Sequence, residues 1–187
     1  MPLQPNITVN FELHSYNPLK YVCLIMEKVG IAISYEYYKT FNELNEEDQA
    51  LCLKAQEALK SSYSPYSGFR VGTAIRLKDG QVILGSNQEN IAYPSGLCAE
   101  RVALFSIGST YPGVEIESMA ITAFTERFEI TKPVTSCGAC LQVMAQFELR
   151  QQKPISVLFY CLNGEIIKVP DVKSLLPFGF IEDRLSL

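Results

Sequence analysis

Two short cysteine motifs constrain this chain more than anything else in it. They are Cys98-Ala99-Glu100-Arg101 and Cys137-Gly138-Ala139-Cys140. Each opens a segment that reads as a helix. Apolar Val102, Ala103, Leu104 and Phe105 follow the first, to about Ile107, and the second continues to about Arg150. A helix start carries unpaired N–H groups and partial positive charge. Such a position lowers thiol pKa values and stabilises thiolates. Two such helix starts converging would gather three thiols at one point, so the fold must let them meet.

The other segments indicate which kind of fold allows this. Residues 31–38 are rich in Ile, Ser and Tyr and read as a strand. Asn45-Glu46-Glu47-Asp48 reads as a helix start, with Asn as N-cap and acids in the first turn, and the helix runs to about Ser61. Ser64-Pro65-Tyr66-Ser67-Gly68 is turn chemistry. Strands at 71–77 and 82–85 flank Asp79-Gly80, and strands at 155–161 and 165–169 flank Asn163-Gly164, so each pair reads as a hairpin. Residues 117–123 read as one more strand. The strand–helix–strand crossover in the middle favours an α/β fold, a mixed sheet of about five strands with helices packed on it. Residues 1–30 contain Pro2, Pro5 and Pro18 without a sustained period and read as an arm. Residues 31–187 read as a single domain.

Charge narrows the partners. The net charge is −4 and the pI about 5.1, with no extended basic run. That argues against a nucleic-acid polymer and for a small molecule. No stretch approaches the ~18 apolar residues of a membrane span, and no basic segment leads into an apolar run near the start. A cytoplasmic protein without a membrane partner is expected. The six cysteines are Cys23, Cys52, Cys98, Cys137, Cys140 and Cys161. In that setting a C-x-x-C spacing points to metal or redox chemistry rather than disulfides.

Zinc prefers thiolate and imidazole ligands in tetrahedral geometry. The two motifs offer three thiols. A fourth protein ligand would have to be His14, the only histidine, or a distant cysteine. Three protein ligands plus water is the simpler count, and it describes a catalytic site. Glu100 follows Cys98 by two residues, a spacing that can set a carboxylate beside the metal without ligating it. There it can take a proton from a bound water and deliver it to a substrate. Arg101 can offset the charge of the thiolates by donating to one of them. A lone C-x-x-C or C-x-E says little. Together they match the zinc-deaminase pattern, H-x-E followed by P-C-x-x-C, with Cys98 in the His place and Ser136 in the Pro place.

At these residues the chain resembles the cytidine deaminase family, in its small homotetrameric branch. The resemblance runs over about residues 46–181. It is carried by Tyr63-Ser64-Pro65-Tyr66-Ser67-Gly68-Phe69-Arg70-Val71-Gly72, Asn87-Gln88-Glu89-Asn90, the two cysteine motifs, and Leu175-Leu176-Pro177. It implies a three-layer fold and one Zn2+ on Cys98, Cys137 and Cys140, with Glu100 as the proton shuttle. It also implies hydrolysis of cytidine and deoxycytidine to uridine and deoxyuridine plus ammonia, as in pyrimidine salvage. Asn87 and Glu89 would bind the ribose 3′-hydroxyl, Phe69 would stack on the base, and the N–H of Ala99 would face the pyrimidine carbonyl. A homotetramer would let Tyr93 and Phe180 bridge to neighbouring sites.

Two residues depart from the family. It usually has Pro before the second zinc cysteine and Arg after the third, where this chain has Ser136 and Leu141. The lost charge should slow turnover more than it weakens zinc binding. Three other readings compete. One is a deaminase of a modified cytosine nucleoside, of the blasticidin type, which the Asn87/Glu89 pair disfavours. Another is a non-catalytic zinc protein, which would have no use for Glu100. The last is a polynucleotide deaminase, which the acidic pI disfavours.

Overall fold

The computed structural model describes residues 27–182. His14, Cys23 and nearly all of the expected arm lie outside the described residues. The elements are β1 (Glu36–Tyr38), α1 (Glu46–Ala58), β2 (Arg70–Leu77), β3 (Val82–Ser86), α2 (Ala99–Thr110), β4 (Ile116–Phe124), α3 (Gly138–Gln151), β5 (Ser156–Tyr160) and β6 (Ile166–Val169).

The strands form one six-stranded sheet in the order β1-β6-β5-β4-β2-β3. The sheet has six strands against the expected count of about five, and the strand expected over residues 31–38 is confined to β1, an edge strand of three residues paired to β6. Both hairpins form, β2 with β3 and β5 with β6. The parallel pair is β4 with β5, and α3 is the crossover that joins them, as a parallel connection requires. Helix α1 starts where its sequence says it should. Asn45 Oδ1 accepts from the Asp48 N–H at 2.8 Å, satisfying a donor that the first turn leaves free.

Alternating side chains give each strand two faces, and both are covered. Ile75, Met119, Ile121, Val157 and Phe159 point to one side, where Ala103, Leu104 and Ile107 of α2 and Cys140 and Met144 of α3 meet them. Ala74, Ala120, Leu158 and Tyr160 point to the other, onto Leu51, Cys52 and Ala55 of α1. The result is three layers. Lys168 of β6 also reaches the buried Asp48 of α1 at 2.6 Å.

Two glycines set how closely helices lie on the sheet. A Cβ at Gly72 would stand 2.1 Å from the carbonyl oxygen of Ala55 in α1. A Cβ at Gly85 in β3 would stand 2.4 Å from the carbonyl oxygen of Ala99 and 2.8 Å from the Ala103 Cβ. The missing side chain lets the first turn of α2 rest directly on β3, which fixes the place of Cys98 and Glu100. No helix among the described residues is long and apolar enough to cross a membrane.

Candidate active site

Cys98 is the N-cap of α2 and Cys137 the N-cap of α3. Cys140 lies in the first turn of α3, fully buried. The three sulfurs all lie within 4.8 Å of one another, and the Cys137 and Cys140 Sγ atoms are 3.5 Å apart. Tetrahedral zinc with Zn–S bonds of about 2.3 Å needs sulfurs about 3.8 Å apart, so the cluster fits the ion with little movement.

The charges suit a cation. Cys98 is pushed down to about 6, first by a hydrogen bond from the Cys140 thiol and then by Arg101, against its burial. The same hydrogen bond and burial push the Cys140 thiol up. Thiolate character is thus favoured at Cys98, which suits a thiophilic cation. Arg101 Nη2 lies 3.9 Å from Cys98 Sγ, and its buried Nε has no hydrogen-bond partner. Leu141, where the family usually has Arg, packs against the core instead. Arg101 is thus the cation beside the thiols.

Glu100 is one turn position beyond Ala99 and 4% exposed. Its Oε1 accepts a hydrogen bond from Ser136 Oγ at 2.7 Å. It raises the pKa of both Cys98 and Cys140 through its charge, so it stands close to the sulfurs. Ala99 is fully buried beneath Gly85. As the first residue of α2 it keeps an N–H without an intrahelical acceptor.

β3 ends at Ser86, one residue before Asn87. Gln88 continues in extended pairing with Tyr63 and Leu97, so Asn87 and Glu89 turn the same way, toward residues 62–71. Asn87 Oδ1 accepts from Ser62 Oγ at 2.6 Å and from the Val71 N–H at 2.7 Å. Its Nδ2 donates to the Phe69 carbonyl at 2.9 Å. Glu89 Oε2 accepts from the N–H groups of Tyr66 and Ser67 at 2.9 and 3.2 Å. Burial works against the Glu89 carboxylate, but hydrogen bonds from Ser67 and Tyr66, with Arg127 nearby, hold it below the usual range. Neither side chain is merely a solvated turn residue. Phe69 stacks on Phe128, ring centroids 6.3 Å apart and planes 28° apart.

These groups meet on one cavity of about 750 Å³, whose walls include Phe69, Asn87, Glu89, Tyr93, Cys98, Glu100, Arg101 and Cys137. Tyr93 sits on its rim, 75% exposed, with its ring edge toward Tyr66. Phe180 is not part of this wall. It lies on the outside of α3, where its N–H donates to Gln142 Oε1 at 2.8 Å. Sequence reasoning missed Ser62 and Arg127 as supports of Asn87 and Glu89, and the link from Ser136 to Glu100. Ser62 and Arg127 belong to no motif, and only the tertiary fold brings them to their partners.

Comparison with known proteins agrees with this geometry. Residues 45–153 match the family described as the cytidine and deoxycytidylate deaminase zinc-binding region. The chain is 39% identical over 138 residues to a cytidine deaminase of Halalkalibacterium halodurans, covering 74% of this chain and 97% of that one. A cytidine deaminase of Sporosarcina psychrophila is 37% identical over 139 residues, covering 74% and 94%. The crystal structure of cytidine deaminase from Burkholderia pseudomallei superposes with a TM-score of 0.62 at 34% identity, over 73% of this chain and all of that one. A cytidine deaminase structure from Mycobacterium tuberculosis gives 0.56 at 26% identity, over 74% of this chain and 100% of that one. The chain belongs to the cytidine and deoxycytidylate deaminase family, and it is a zinc-dependent enzyme of the cytidine deaminase type.

Proposed function

We propose that this enzyme deaminates cytidine and deoxycytidine, giving uridine and deoxyuridine with release of ammonia. The observation that carries the reading is Glu100, a buried carboxylate in the cavity wall beside three gathered thiols. A purely structural zinc site closes its coordination with protein ligands and leaves no task for a carboxylate off the metal. Cys98, Cys137 and Cys140 would hold the ion, which lowers the pKa of a water toward about 7 and so supplies the nucleophile.

The remaining chemistry belongs to the chain. Glu100 carries the first proton of the attacking water to the ring nitrogen N3, and then the second, from the hydroxyl formed on C4, to the amine, so that the C4–N bond breaks, ammonia leaves and the C4 carbonyl forms. Phe69 stacks on the pyrimidine, and the Ala99 N–H donates to its carbonyl. After their internal bonds, Asn87 keeps one amide hydrogen, and Glu89 Oε1 is not used by the two backbone donors. One donor and one acceptor fit a single hydroxyl, which supports recognition of the 3′-hydroxyl without regard to the 2′ position.

The same reading places the catalytic domain in residues 31–187, with residues 1–30 as an arm. It makes the protein a cytoplasmic homotetramer of pyrimidine salvage, with no nucleic-acid or membrane partner. The exposed Tyr93 and Phe180 support shared sites.

The test is an absorbance assay on cytidine, deoxycytidine and free cytosine with metal-analysed protein. Turnover of both nucleosides is expected. Free cytosine should be far poorer, because it leaves the remaining Asn87 amide hydrogen and Glu89 Oε1 without the hydroxyl they would bind. Equal efficiency on cytosine, or no ammonia from either nucleoside, would overturn the reading.

A further inference from the structure

Ser136 occupies the place where the zinc-deaminase pattern carries Pro, and the structure gives it a task that Pro cannot perform. Its hydroxyl donates to Glu100 Oε1 at 2.7 Å. This is the only protein hydrogen bond to that carboxylate among the described residues. The bond crosses between two elements. Glu100 lies in the first turn of α2, and Ser136 immediately precedes Cys137, the N-cap of α3. Ser136 is half-buried and Glu100 almost fully buried.

We infer that Ser136 is the positioning residue for the proton shuttle, an inference that rests on the deaminase reading of Glu100. A glutamate side chain has several rotamers, and no other protein hydrogen bond among the described residues directs its carboxyl group. A hydroxyl donating to a carboxyl oxygen at 2.7 Å makes a directional bond. It occupies Oε1 and leaves Oε2 as the oxygen that can exchange protons with water and substrate. It also ties the carboxylate to the segment entering α3, which carries two of the three cysteines. The shuttle and the metal ligands therefore keep a common frame even though they come from different helices. Catalytic groups lose about a hundredfold in rate when misplaced by about 1 Å, so a single restraint of this kind is enough to matter.

The inference sets Ser136 apart from a merely structural residue. Ser136→Ala should lower kcat about 10- to 100-fold, with KM within about twofold and zinc content unchanged. Those limits follow because the variant disturbs proton transfer and touches neither nucleoside nor metal. Ser136→Thr, which keeps the hydroxyl, should restore most of kcat. A readout independent of turnover comes from metal-free protein. The urea midpoint shifts of Ser136→Ala and Glu100→Ala should be non-additive, as for residues in direct contact. Unchanged kcat in Ser136→Ala, failure of Thr to rescue, or additive midpoint shifts would each overturn the inference. Glu100→Gln separates the two levels. If it is inactive while Ser136→Ala is normal, Glu100 remains the shuttle and Ser136 is removed from the account. If Glu100→Gln turns over like the parent, the deaminase reading of Glu100 falls and the positioning role falls with it.

Discussion

The Asn87 side-chain amide donates to the Phe69 carbonyl at 2.9 Å, joining the residue proposed to hold the sugar to the one proposed to stack on the base. Its Oδ1 is also filled, by Ser62 and by the Val71 N–H. Asn87 is therefore a fastener of the loop as well as a donor to the ligand. Asn87→Ala should destabilise the fold by about 1–3 kcal/mol, because it leaves the Val71 N–H without its acceptor, and it should also raise KM for cytidine. Urea unfolding and steady-state kinetics on one preparation check this. A raised KM with unchanged stability would show that the internal bonds contribute nothing.

Gly85 makes a prediction that reaches the site through the backbone. A methyl group there would meet the Ala99 carbonyl at 2.4 Å, and a backbone atom cannot swing aside like a flexible side chain. Gly85→Ala must lift the first turn of α2 off β3. Overpacking of this kind costs about 1–3 kcal/mol, and the turn that moves holds Cys98 and Glu100. The variant should melt at a lower temperature, bind zinc more weakly and lose kcat. Full zinc content with parent-like turnover would mean that α2 adjusts without moving its start.

Much of this was legible in the sequence, because its signals are local. Asn45 ahead of three acids gives α1, the Asp79-Gly80 and Asn163-Gly164 turns give the hairpins, and the paired cysteines name the metal site. The strand expected over residues 31–38 forms only at Glu36–Tyr38, where β6 pairs with it, so its extent is set by the partner strand and not by the local sequence. Ser136 registers in the sequence only as a departure from a pattern. Its role appears when α2 and α3 converge, since its partner Glu100 is distant in the chain. Ser62 is similar. It is an ordinary loop serine until the fold brings it 2.6 Å from Asn87.

Cys137 tests the metal centre. It caps α3 and is the exposed member of the cluster, whereas Cys140 is buried. Cys137→Ala leaves two thiols and removes little packing, so the metal-free fold should survive. Zinc binding contributes directly to folding free energy, so the loss should show as near-zero zinc content and a lower melting temperature than the zinc-loaded parent. Against metal-free parent protein the difference should be small. A Cys137→Ala protein that retains about one zinc per chain and full activity would remove Cys137 from the ligand set.

Assembly follows from where the aromatic residues are held. Phe178 and Phe180 are 88% and 72% exposed, and Tyr93 on the cavity rim is 75% exposed. Phe180 is not loose at its backbone, because the Gln142 side chain binds both its N–H and its carbonyl at 2.8 Å. One amide thus fixes the segment on α3 while the ring faces away. Large aromatic rings held outward are unfavourable on a lone subunit and are typical anchors of protein interfaces. The cavity of the same chain does not include Phe180, so a lid role requires a second copy. On the proposed homotetramer, sedimentation should give a tetramer. Phe180→Ala should raise KM with zinc content unchanged, since the ring is no part of the cavity wall that includes Cys98 and Cys137. Gln142→Ala should act in the same direction and more weakly, because it frees the segment without removing the ring. A stable monomer with full activity would rule out shared sites and leave the Gln142 clasp as local packing of the chain end.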